Sequence, residues 1–157
     1  SFPRVQRVDP LIPPLAYLTT TPEYNEIRNA PNQKLAVDNF WLDKAGNADR
    51  ARELIRVYYN RVYFANFYFT SYKPGWSTDR GMIFIIYGPP QSVKVLPDQE
   101  IWIYYKNNYT TTVTFTFFNK SSPFVSNHYV LQRSDSYDTY WRSAVDTWRR
   151  GKINLIE

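Results

Sequence analysis

A chain of 157 residues with no Cys excludes a disulfide framework, thiolate metal sites and Cys nucleophiles. Its 19 basic and 14 acidic side chains give a net charge of +5, which favours an anionic neighbour without the excess typical of nucleic-acid binding. No apolar run reaches the roughly 18 residues of a bilayer span, and the length is that of one ordinary domain.

Residues 1–30 hold Pro3, Pro10, Pro13, Pro14 and Pro22, which rules out a long helix. Leu11, Ile12, Leu15, Tyr17 and Leu18 predict an extended arm laid over a core, with 31–157 as a single domain. The chain opens on Ser without a signal peptide or lipidation box and reads as a mature or excised fragment, its arm implying a removed upstream domain. A first helix is expected from Asn32, with Leu35, Phe40, Trp41 and Leu42, ending at Gly46. Asn47 then caps a longer helix reaching to about Tyr72. Ala51, Ile55, Tyr58, Val62, Ala65 and Phe69 define its apolar face. Tyr59, Tyr63, Phe64, Phe67 and Tyr68 widen that stripe and predict burial on more than one side.

After Pro74-Gly75 the period changes. Met82–Tyr87 reads as a buried strand closed by Gly88-Pro89-Pro90. Glu100–Lys106 and Thr112–Phe118 alternate strictly and predict a hairpin turning at Asn107, Asn108 and Tyr109. In the first of these strands Ile101, Ile103 and Tyr105 share a face; in the second, Val113, Phe115 and Phe117 do. Phe124–Gln132 reads as a further strand. A last helix, capped by Ser134 or Asp135, carries Tyr137, Trp141, Ala144, Val145 and Trp148 on one side and stops near Gly151. The expected class is α+β: an N-terminal arm and helices, an antiparallel sheet of about four strands, and a C-terminal helix.

Gly75-Trp76-Ser77-Thr78-Asp79 is the stretch that reads as a signature. With Phe40-Trp41, Tyr58-Tyr59, Arg61-Val62 and Ala65-Asn66 before it, and Arg80-Gly81 and Tyr87-Gly88-Pro89-Pro90 after it, the chain resembles the GWxTD domain family. That family is found in envelope proteins of Bacteroidota and related bacteria, often exported or lipoprotein-anchored. The resemblance implies a cell-envelope location and implies no activity. A second likeness joins Gly88-Pro89-Pro90, Ile101-Trp102-Ile103-Tyr104 and Thr114–Phe118 to small accessory lipoproteins of outer-membrane assembly. In those proteins a helix precedes the turn, where a strand is expected here.

The residues Gly75, Trp76, Thr78, Asp79, Arg80, Gly81, Gly88 and Pro89 are read mainly as structural. Gly75 takes a backbone closed to other residues, Trp76 plugs the core, Thr78 and Asp79 bond turn amides, and Arg80 pairs with Asp79 or a nearby acid. The functional alternative is a polar binding spot at Asp79 and Arg80 beside the Trp76 ring. His128 is the sole imidazole, no Gly-x-Ser-x-Gly elbow exists, and neither a catalytic triad nor a zinc site is expected. Asp98 with Glu100, and Asp135 with Asp138, read as turn and cap acids ahead of a hydrolase pair. Arg142, Arg149, Arg150 and Lys152 gather at the last helix, the final three as helix-dipole partners.

No catalytic residue, metal or cofactor is therefore expected. The leading expectation is a non-enzymatic envelope module that binds other proteins at or near the outer membrane, on its periplasmic face or at the cell surface. Trp102, Tyr104 and Tyr129 are its candidate binding surface. The alternative is glycan binding on exposed aromatic platforms, and nucleic acid is disfavoured.

Overall fold

Local backbone chemistry sets the helix boundaries. The computed structural model describes residues 7–106, 111–134 and 137–153. Thr20 and Glu23 form a reciprocal capping box at the start of α1 (Thr21–Arg28), so the Pro-rich segment folds into a short helix after two 3-10 turns where an extended arm is expected. Asn32 caps α2 (Gln33–Ala45) by accepting the Leu35 amide at 3.1 Å, and Gly46 ends it at φ 84°. Asn47 accepts the Arg50 amide at 2.8 Å at the head of α3 (Ala48–Phe69).

Met82–Tyr87 is not a strand. It belongs to α4 (Asp79–Tyr87), whose first turn is capped by Thr78 and which ends at Gly88, φ 82°. Its isoleucines favour strands intrinsically, but the cap fixes the helix start, and burial of Ile83, Ile85, Ile86 and Tyr87 removes any one-sided pattern. The fourth strand of the sheet is instead β1 (Ser92–Val95), which the sequence pattern does not announce. It is followed by β2 (Gln99–Lys106), β3 (Thr111–Asn119) and β4 (Tyr129–Leu131), all antiparallel in the order β1-β2-β3-β4. The segment expected as a strand from Phe124 is paired only over Tyr129–Leu131. The expected hairpin turn at 107–109 and the Asp135 cap lie outside the described residues. The last helix is α5 (Tyr137–Arg149), with Gly151 at φ 75° beyond it. The class is α+β, with N-terminal helices, a four-stranded antiparallel sheet and a C-terminal helix.

Contacts divide the chain into two units, and α3 and α5 contribute residues to both. Among the described residues the first comprises 7–60 and 145–153. Its core stacks Trp41, Tyr58 and Trp148, each fully buried, with ring centroids 5.1 to 6.4 Å apart. Leu15 of the arm is buried with them, and Tyr58 donates to the Pro14 carbonyl at 2.5 Å. Arg149 donates to the Leu18 carbonyl at 2.6 Å and to Glu23 at 2.8 Å, so it ties arm and helix besides facing the helix dipole.

Among the described residues the second unit falls within 61–144 and contains the sheet. Register decides its inner face. Trp102 stands opposite Phe115, Tyr104 opposite Val113 and Glu100 opposite Phe117, and directly opposed residues share a face. Trp102, Tyr104, Val113, Phe115 and Phe117 are therefore buried together with Ile83, Ile85 and Ile86 of α4.

Candidate functional site

The signature is built around two glycines in close contact. A Cβ on Gly75 would stand 1.9 Å from the Ala65 carbonyl oxygen of α3, and one on Gly81 would stand 1.8 Å from the Gly75 carbonyl oxygen. No side chain fits either position. Thr78 completes the joint: its hydroxyl donates to the Gly75 carbonyl at 2.7 Å and accepts the Gly81 amide at 3.0 Å. Asn66 accepts the Trp76 amide at 2.9 Å, and Thr70 accepts the Gly75 amide at 3.0 Å. Trp76 itself is half-buried, so it does not plug the core as expected; its backbone is what α3 holds.

Asp79 and Arg80 reach outward from this joint to other strands. Asp79 accepts the Leu131 amide of β4 at 2.8 Å and faces Arg133 at 3.5 Å. Arg80 is buried and bridges Glu100 of β2 at 3.4 Å and Asn127 at 2.5 Å, not Asp79. Its guanidinium lies 3.8 Å from the Tyr129 ring and 5.0 Å from that of Phe69. Burial pulls its pKa below the ordinary value, and Glu100 beside it opposes that shift. Asn127, left-handed at φ 56°, donates to the Tyr68 and Thr70 carbonyls at 3.1 and 3.0 Å. Gly88, under which the Arg61 guanidinium is packed, accepts the Tyr104 hydroxyl at 2.7 Å, while Pro89 is exposed.

A cleft of about 290 Å³ opens beside this network, with Lys73, Asp79, Arg80, Asn127, His128 and Tyr129 in its walls. Tyr72 also lines it, meeting His128 edge-on at 5.2 Å, with Lys73 5.7 Å from its ring. The Ser71 hydroxyl is buried there and has no hydrogen-bond partner among the described residues. Among the described residues no cluster of His, Asp or Glu is arranged to hold a metal ion. The chemistry on offer is hydrogen bonding, stacking and a cation.

The sequence-predicted binding surface is redistributed. Trp102 and Tyr104 are 2% and 0% exposed and offer no surface; strict alternation defines two faces of β2 without saying which is inner. Trp102 donates from its indole to Glu100 at 2.6 Å, so its polar atom is satisfied inside. Tyr129 is half-buried against Arg80. Exposed rings stand elsewhere. Tyr63, Phe64, Phe67 and Tyr68 were expected to be buried on a second side of α3, yet they face solvent, and Tyr72 just past the helix does too. Their offset from the buried positions Tyr58, Val62 and Ala65 was the available signal.

The ordered arrangement of signature and helices has a counterpart among known families: the GWxTD domain model matches residues 1–150. The chain belongs to the GWxTD domain family. In this GWxTD domain each of the four named letters makes a defined contact: Gly75 lies close to Ala65, the Trp76 amide donates to Asn66, Thr78 caps α4 and Asp79 accepts from β4. The match takes in the N-terminal segment as well as the sheet. No curated protein and no solved structure matches the chain.

Proposed function

We propose that this GWxTD domain is a non-enzymatic module of the bacterial cell envelope that binds other proteins at or near the outer membrane. The observation that carries the reading is the aromatic face of α3, where Tyr63, Phe64, Phe67 and Tyr68 are exposed side by side. Contiguous exposed apolar surface of this kind marks interaction sites, and aromatic residues dominate their energetics. Family membership supports the exported location, on the periplasmic face of the outer membrane or at the cell surface. The test is a photo-crosslinking amino acid placed at Phe67 in cells, with Val95, equally exposed on β1, as the control site. Specific protein adducts at Phe67 are expected; none beyond those at Val95 would refute the reading.

Glycan binding is the second reading, favoured by the cleft, where Tyr72, His128, Lys73 and the unbonded Ser71 hydroxyl meet. Oligosaccharide titration followed by calorimetry tests it, with Tyr72→Ala expected to abolish any heat of binding.

A further inference from the structure

Within the second unit, Tyr63, Phe64, Phe67, Tyr68 and Tyr72 are exposed by 65, 37, 72, 56 and 64%. Residues 62–72 carry no charged side chain. We propose that this face pairs with the same face of a second copy of the chain, about a two-fold axis passing near Phe67. The proposal rests on the interaction reading above and names its partner.

Area is the first argument. At about 200 Å² per fully exposed ring, these fractions leave roughly 600 Å² of aromatic surface on each copy. Two copies together hide roughly 1,200 Å², the size at which specific interfaces begin.

Charge is the second. Two-fold pairing sets each side chain near its own counterpart, which penalises any charge at the centre; Tyr63, Phe64, Phe67 and Tyr68 bring none, and Lys73 stands beside Tyr72 at one end of the row.

Ring geometry is the third. Tyr63 meets Phe64 edge-on at 5.5 Å, and Phe67 meets Tyr68 edge-on at 4.9 Å. Such pairs present both ring edges and ring faces outward, which is what a second copy of the same row needs to interlock.

Sedimentation velocity of the chain from about 1 to about 200 μM tests the proposal. The expected result is a reversible dimer that salt strengthens, because each copy carries +5. Phe67→Glu should raise its dissociation constant about tenfold or more while leaving the circular dichroism and melting curve unchanged. Because the chain has no Cys, Phe67→Cys supplies one thiol per copy, expected to crosslink rapidly on oxidation, whereas Val95→Cys does not. A monomer at every concentration overturns self-pairing, as does a dimer indifferent to Phe67→Glu and uncrosslinked through Phe67→Cys. If the chain is monomeric yet the Phe67 photo-crosslinker captures a different protein, self-pairing fails and the interaction reading stands. Retention of the monomer, but not of Phe67→Glu, on phosphatidylglycerol vesicles assigns the face to lipid and overturns the proposal too.

Discussion

The Asp79 carboxylate accepts the Leu131 amide at 2.8 Å across 52 residues of sequence. The last letter of the signature is thus the fastening of a three-residue strand, which has few ladder bonds of its own. Asp79→Ala should cost about 2 kcal/mol in urea unfolding, from a lost charge-assisted bond and an acid removed from the first turn of α4. Faster amide exchange at Leu131 than at Phe117 should accompany it.

Gly75→Ala places a methyl against backbone, and backbone cannot yield as a flexible side-chain tip can. The expected loss is about 3 kcal/mol or more, or failure to fold. Gly46→Ala makes the comparison. Its φ of 84° is strained for alanine but the space is open, so about 1 kcal/mol is expected.

Arg80→Met should destabilise by about 2 kcal/mol, because Glu100 is left half-buried beside a neutral chain. Adding Glu100→Gln should recover part of that loss, since the amide keeps an oxygen for the Trp102 indole. A double-mutant cycle in urea checks both figures; full additivity of the two changes would count against the pairing.

Glu23 is held down to about 2 by the hydrogen bond from Arg149, then by the Thr20 amide, with desolvation opposing. A carboxylate depressed in the folded state contributes stability that is complete above its unfolded value of 4.5 and is lost as the pH falls toward about 2. The pair is partly open to solvent, which screens it to about 1 kcal/mol. Glu23→Gln should therefore flatten the acid limb of the melting curve between those pH values and lower Tm at pH 7.

What the sequence made legible depended on whether the cause was local. Asn32, Gly46 and Asn47 act on their own backbone, so α2 and the start of α3 could be placed from residues alone. The α4 segment could not, because its isoleucine run satisfies either period once every side is buried. Nor could the inner face of β2 be chosen, since Ile101 and Ile103 are as apolar as Trp102 and Tyr104; only pairing with Phe115 and Val113 settles it. The exposed rings of α3 were hidden by the same ambiguity, for an aromatic side chain looks buried until the neighbours are known. Of the signature, the threonine's bond to a turn amide was readable, while the reach of Asp79 to Leu131 and of Arg80 to Asn127 was not; Gly75 is required by its closeness to Ala65 and not, as expected, by a backbone closed to other residues.

Asn127 donates to carbonyls 57 and 59 residues earlier in the chain, and Arg80 meets it across 47. Closing loops of that length costs chain entropy before any contact offsets it, whereas helical turns and the β2–β3 hairpin need only near neighbours. The long-range bonds of Asp79, Arg80 and Asn127 are accordingly expected to form after the local ones that Thr78, Asn66 and Thr70 make within the signature. A chain that has its helices but lacks these bonds is expected to be cut by protease around Asp79 and Asn127 more readily than the native protein.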